Sequence, residues 1–263
     1  MARILSIIIF VLIFSLTPSF PVSATVYFYS GFETGDVSEW LTDNGGNHTG
    51  GGYVTGETSR TGQYCWKAYN NPALPSPDNI SAKLLRWRFD YQEAYYSAWY
   101  FWPIDYLVSG VDGEYVNIFQ WKERASPYDP TWIVAVKNSY QFPGEDEIVV
   151  HDYHGGTIFR SGVKLPKGRW FQLEAFLKTG RTDGQLIVWL DGKQIFAFNN
   201  INTSGNTSNV TGFLMWGVGN YGGAALGKYI YVDDASVSDS RSTSQPTIPP
   251  PTISPPKNIR LVD

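Results

Sequence analysis

The sequence predicts an all-β fold, an antiparallel sandwich or jelly roll. Three observations carry that prediction. The segments that could form regular structure are short, β-branched and aromatic, with turn residues between them. Asp191-Gly192, between QLIVWL and KQIFAF, is a two-residue hairpin signal, because both turn positions favour positive φ. No stretch shows the 3.6-residue apolar period of an amphipathic helix.

The elements follow in order along the 263 residues. MARILSIIIFVLIFSLTPSFPVSA has a basic start, an apolar run shorter than the about 20 residues of a membrane span, and small residues at its end. Residues 1–24 are therefore expected to be a signal peptide cleaved after Ala24, which predicts a secreted, extracellular protein with no membrane span after cleavage. The expected strands are TVYFYSGF, QYCWKAY, AKLLRWRF, AYYSAWYFWP, YVNIFQWK, TWIVAVKN, EIVVHDY, WFQLEAFLK, QLIVWL, KQIFAF, GFLMWGVG and KYIYVDDASV. Arg181–Gly184 joins WFQLEAFLK to QLIVWL as a second hairpin connection. Together they make one domain over residues 25–240. Residues 241–256, rich in Pro, Ser and Thr, cannot bury a core and are expected to be a semi-rigid linker. Residues 257–263 resemble the opening strand of a fibronectin type III module and start a further module or a tail.

Composition narrows the partners. Aromatic residues make up 16% of the chain and hydrophobic residues 43%, enough for a packed core. The net charge is −4 with no long basic run, which argues against nucleic acid. The single cysteine, Cys65, excludes an internal disulfide and is expected in the core. Sequons at Asn47, Asn79, Asn202, Asn206 and Asn209 predict glycosylation in a host that supports it. A monomer is expected.

Period-2 alternation assembles a polar face within apolar strands: Arg86 and Arg88, Gln120 and Lys122, Lys137, Gln172 and Glu174. On the other side of these strands lie Leu85, Trp87, Phe119, Trp121, Val136, Leu173 and Ala175. A mostly basic face of this kind suits an anionic glycan; an ordinary solvated sheet face is the alternative. His151 and His154 sit where a strand meets a loop, in VVHDYHGG, and an imidazole is the side chain closest to neutrality. Either supplies a general base or both belong to a solvated turn. Tyr229 and Tyr231 alternate in KYIYVDD and are a proton donor, sugar platforms or core. Trp99, in AYYSAWYFWP, is the indole candidate for contact with a sugar.

GFETGDVSEW, SRTGQYCWKAY, YYSAWYFWP, VNIFQWK, LPKGRWFQLEAFLKTGRTDGQLIVWLDGKQIF and YIYVDDASV together resemble the concanavalin-like jelly-roll polysaccharide lyases, most closely the heparin-lyase-I-like and glucuronan-lyase-like group. The resemblance spans residues 30–238, and its 167–196 stretch is shared with laminin-G-like jelly rolls. It implies β-elimination on an acidic, uronate-containing polysaccharide. That chemistry needs a neutraliser for the carboxylate, a base and an acid. Gln120 matches the family's Gln in a Q-x-H strand and is the implied neutraliser. Lys122 stands where many lyases carry His, and serves as base only with a strongly lowered pKa. One of His151 and His154 is the alternative base, with Tyr153, Tyr229 or Tyr231 as acid. Arg86 or Arg88 matches the Arg of the family's early strand, and Lys137 adds a cation. Jelly-roll carbohydrate-binding modules hold Ca²⁺ with a similar GFE…DD pair, which makes Glu33, Asp233 and Asp234 the implied structural calcium ligands. A non-catalytic carbohydrate-binding or adhesion domain on a Pro-rich stalk is the competing expectation. A jelly-roll glycoside hydrolase is disfavoured, since its E-x-D-x-E strand is absent.

Overall fold

The computed structural model describes residues 24–41, 46–89, 91–108, 114–122, 130–205 and 213–241. The expected signal peptide, most of the linker, the tail and the sequons at Asn206 and Asn209 lie outside them.

The strands are β1 Val26–Ser30, β2 Gly46–Thr49, β3 Tyr53–Thr55, β4 Cys65–Tyr69, β5 Ser81–Phe89, β6 Glu93–Phe101, β7 Val116–Lys122 and β8 Pro130–Asn138. They continue as β9 Asp146–Asp152, β10 Thr157–Lys164, β11 Trp170–Lys178, β12 Gly184–Leu190, β13 Lys193–Ile201, β14 Phe213–Tyr221 and β15 Tyr229–Ser238. Each expected run forms a strand. One eight-stranded antiparallel sheet runs β13-β12-β11-β6-β15-β4-β3, with β1 also paired to β15. A seven-stranded antiparallel sheet runs β10-β9-β8-β7-β14-β5-β2. The predicted sandwich is the observed fold. Asp191 and Gly192 have φ of 48° and 78°, as their hairpin requires.

The inner faces close over an aromatic core. Trp40, Trp66, Trp102, Trp121, Trp216, Tyr96 and Phe119 are fully buried. Trp216 lies 5.4 Å from Trp40, 5.2 Å from Phe119 and 5.5 Å from Tyr96, a contact set that spans both sheets. Cys65 is buried as expected, and burial pushes its thiol up to about 12.

Two departures from simple alternation matter. The first is β10, which the sequence hides. TIFRSGVK carries a glycine at φ 64°, breaks register between Arg160 and Lys164, and lies half-buried at the sheet edge. The second is a bulge in β7, where the pairing to β8 shifts between Asn117 and Phe119. Ile118 and Phe119 then both enter the core, which one extra residue in a strand permits. Asn117 and Gln120, three apart, consequently share the outer face.

Candidate active site on the outer face of the seven-stranded sheet

The bulge assembles the site. Strand register places one row across the sheet: Leu85, Gly217, Gln120, Ile133, His151 and Ile158. Gln120 and His151 are two strand steps apart, about 10 Å between backbones. Ile133, Ala135 and Val149 make an apolar floor between and beside them, on which Tyr115 and Ile158 pack.

Gln120 is 2% exposed. Its Oε1 accepts a 2.7 Å hydrogen bond from Asn117 Nδ2, which fixes the amide plane. Its Nε2 is buried with no hydrogen-bond partner. A buried donor left this way costs about 1–3 kcal/mol, so the fold tolerates strain at this atom. The neighbouring β14 position is Gly217, where an added Cβ would come 2.4 Å from Leu85 Cδ2 and 3.4 Å from Gln120 Nε2. A larger residue there would press on Leu85 and reach contact distance of the amide.

His151 packs edge-on against Tyr115 at 5.4 Å and tilted against Tyr153 at 5.8 Å. Burial holds its pKa below the usual imidazole value; Asp152 opposes that shift and Lys137 adds to it. Its Nδ1 has no hydrogen-bond partner. The ring is therefore neutral at neutral pH, and its unpartnered Nδ1 is buried. Burial raises the Tyr115 phenol, with Tyr153 and Tyr221 adding to the shift, so it stays protonated. A cleft of about 230 Å³ opens beside Tyr115, lined by Glu114, Tyr221 and Gly222.

Cations border the row. Lys122 shares the face of Gln120, as alternation predicted. Lys137 is on this face too, but its Nζ donates to the Glu114 carbonyl at 2.7 Å and is 8% exposed. Lys83, on β5, lies 4.0 Å over the Tyr221 ring. Burial first, then the charge of Lys122, pushes it down to about 8, with Asp78 opposing.

Other expected site residues fall elsewhere. Arg86 points inward: its Nη1 donates to the Trp40 carbonyl at 3.0 Å and its guanidinium sits 5.4 Å from the Phe28 ring. Leu85 and Trp87 take the outer face instead. Alternation identified two faces of KLLRWRF correctly and assigned the wrong one outward, because Gly217 lets Leu85 be buried there. The side chain of Arg88 lies outside the described residues. His154 leaves the row; it lines a separate 260 Å³ pocket with Trp132, Asp152 and Asn202. Trp99, Tyr229, Tyr231, Gln172 and Glu174 belong to the eight-stranded sheet and face away from Gln120 across the whole sandwich. Tyr231 donates to Glu57 at 2.7 Å, and Trp99 lies 3.8 Å beneath the Arg60 guanidinium.

The expected calcium ligands also have other partners. Glu33 accepts from the backbone N–H groups of Gln63 and Tyr64. Asp233 accepts from those of Arg60 and Thr61. Asp234 takes the Arg60 guanidinium at 2.6 Å, the Thr61 hydroxyl and the Tyr29 hydroxyl. In this structure the carboxylate oxygens expected to hold calcium accept from a guanidinium, hydroxyls and backbone N–H groups. Among the described residues no group of three or more His, Cys, Asp or Glu side chains is arranged to hold a metal ion.

Sequence reasoning missed Asn117, Tyr115 and Lys83. A signal for the first was present: Asn117 and Gln120 are the polar residues of VNIFQW, and their odd spacing requires a bulge if both face out.

No protein-family profile and no curated protein sequence matches the chain. Solved structures do. An endo-β-1,4-glucuronan lyase from the fungus Trichoderma reesei superposes with a TM-score of 0.59 at 14% identity, covering 82% of this chain and 96% of that one. The chain has the jelly-roll fold of the polysaccharide lyases. The cellulose-induced protein Cip1 follows at TM-score 0.57 and 14% identity, over 81% of this chain and 98% of that one. A PL-14 alginate lyase from Aplysia kurodai gives 0.56 and 13%, over 81% and 99%. At such identities the likeness fixes the fold, and the site must be argued from its own residues. Among the described residues no helix is long and apolar enough to cross a membrane.

Proposed function

We propose that this is a secreted, monomeric polysaccharide lyase that cleaves a uronate-containing polymer by β-elimination. The observation that carries the proposal is the unpartnered Gln120 amide donor in one row with a neutral His151. The amide donates to the uronate carboxylate and strengthens its hold as the enolate-like charge grows, an interaction worth more in the transition state than in the ground state. His151 takes the proton on the carbon beside the carboxylate. The electron pair of that C–H bond forms the ring double bond, and the bond to the glycosidic oxygen breaks. The leaving oxygen takes a proton from Tyr115, whose phenol is held in its acidic form beside the imidazole. Lys83 and Lys122 bind carboxylates of neighbouring sugar units.

The test is the near-ultraviolet absorbance of an unsaturated uronate when the protein is incubated with alginate, glucuronan, heparin, chondroitin or pectate. A rise on one polymer supports the proposal and names the substrate. A flat trace on all five, with retention on one of them in an affinity gel, replaces it with a non-catalytic binding domain, the reading that Lys122 in the place of the family's His favours.

A further inference from the structure

The outer face of the opposite, eight-stranded sheet carries a second aromatic array. Register aligns Tyr53, Lys67, Tyr231, Phe101 and Trp170 in one row across β3, β4, β15, β6 and β11. The rings touch in sequence: Tyr231 to Phe101 at 6.0 Å and Phe101 to Trp170 at 5.8 Å. Lys67 fills the gap, 5.9 Å from the Tyr53 ring and 5.5 Å from that of Tyr231. Tyr53 is 44% exposed, Phe101 and Trp170 are half-buried, and Tyr231, at the centre of the row, is 7% exposed beneath Lys67. Four strand steps make the row about 19 Å long.

We propose that this row is a second glycan-binding surface, taking a neutral, extended pyranose chain laid across the strands. Charge balance decides the class of polymer. The described cations around the row are each matched by a carboxylate: Lys67 by Glu57 at 2.7 Å, Arg60 by Asp234 at 2.6 Å, and Arg169 by Asp191 at 2.7 Å. Arg241 pairs with Glu174 at 2.9 Å. These four described cations are thus neutralised where they stand, in contrast to the lysine-bordered face of Gln120. What remains is a strip of ring faces with hydrogen-bonding groups beside it, Glu57 being 46% exposed. Ring faces are electron-rich and attract the C–H groups that line the flat side of a pyranose. The rings with accessible surface are Tyr53 at one end and Phe101 with Trp170 at the other, four strand steps or about 19 Å from Tyr53 to Trp170, close to the length of two disaccharides in an extended chain. The protein would thus grip a neutral polymer on one side and present its active-site candidate on the other. The proposal rests on the ring row alone and stands whether or not Gln120 acts on a uronate.

The experiment is affinity gel electrophoresis in hydroxyethylcellulose, mixed-linkage glucan and galactomannan, with folding of each variant checked by circular dichroism. Wild type is expected to be retarded by at least one of these polymers. Trp170→Ser and the exposed, edge-strand Tyr53→Ser are each expected to weaken that retardation about tenfold, the loss of one stacking contact. Trp170→Phe should restore most of it, and Gln120→Ala should leave it unchanged. Free migration of wild type in all three gels overturns the proposal, as does loss of retardation in Gln120→Ala. Retardation that survives both serine variants also overturns it. If the same variants instead convert a dimer to a monomer in sedimentation, the row is a self-association surface and not a glycan site.

Discussion

Removing the Asn117–Gln120 pair should make the protein more stable and inactive together. The double variant Asn117→Val, Gln120→Leu is the informative perturbation. Asn117 and Gln120 are 3% and 2% exposed and share one 2.7 Å hydrogen bond. That bond contributes about 1 kcal/mol net, while the orphaned Gln120 Nε2 costs about 1–3 kcal/mol. Replacing both groups by apolar side chains of similar volume removes the bond and the penalty alike, and also removes a buried polar cost. The expected balance is a gain of about 1–2 kcal/mol, or about 2–8 °C in Tm for a domain of this size. The single variant Gln120→Leu gains less, because it strands the Asn117 amide. Thermal unfolding followed by circular dichroism reads the stability. The unsaturated-uronate assay reads turnover, expected to fall about 10²–10³-fold, the usual loss for one charge-stabilising donor. A double variant less stable than wild type would refute the claim that the amide is held at a cost. A stable double variant with full turnover would refute its role in chemistry.

Other outcomes follow from the same geometry. His151→Ala should abolish turnover. In wild type the acid limb of the pH–rate profile should lie below the ordinary imidazole value of about 6.5, since burial depresses His151. The same depressed pKa means the folded state binds this proton less well than the unfolded chain. Its stabilising contribution is therefore full above about 6.5 and declines as pH falls from there through the folded value. Asp233 behaves oppositely: burial and then Asp234 push it up to about 7. Its protonated form is favoured by folding, so stability is lost as pH rises from about 3.9 through that value, and Asp233→Asn should flatten this part of a Tm–pH curve. Lys167→Met should cost about 3–5 kcal/mol in denaturant unfolding, because it strands the fully buried Asp146 carboxylate 2.7 Å away; Arg169→Met, at an exposed pair, should cost under about 1 kcal/mol. Added Ca²⁺ or EDTA should leave Tm unchanged, while Arg60→Met should lower it.

Strands, sandwich and the Asp191-Gly192 hairpin were legible because period and turn chemistry are local. Which side of a strand faces out was not, because that is decided by the partner strand. Arg86 turned inward since Trp40 offers a carbonyl and Gly217 makes space for Leu85 outside. Gln120 and Lys122 were placed together correctly, two residues apart on one strand. The residues that complete the site came from events that pattern reading averages away: a bulge in β7 for Asn117, and packing over the floor for Tyr115. Tyr229 and Tyr231 had the right chemistry and the wrong sheet. No period within one strand tells which layer of a sandwich it joins.

The pairing of β1 with β15 has a practical consequence. Thr25 N–H donates to the Asp239 carboxylate at 2.9 Å, and Asp239 N–H to the Thr25 carbonyl at 3.1 Å, so the domain's two ends are hydrogen-bonded neighbours. In topological terms the described fold is almost a closed loop. A linker of a few residues could join Thr25 to Asp239, and the chain could be reopened at the exposed turn of Asp191 and Gly192. Such a permutant would place the new ends at a turn whose Gly192 carbonyl accepts from Arg241 at 3.1 Å, without touching the row of Gln120 and His151. Anything fused to either natural end, by contrast, leaves the domain from the same spot.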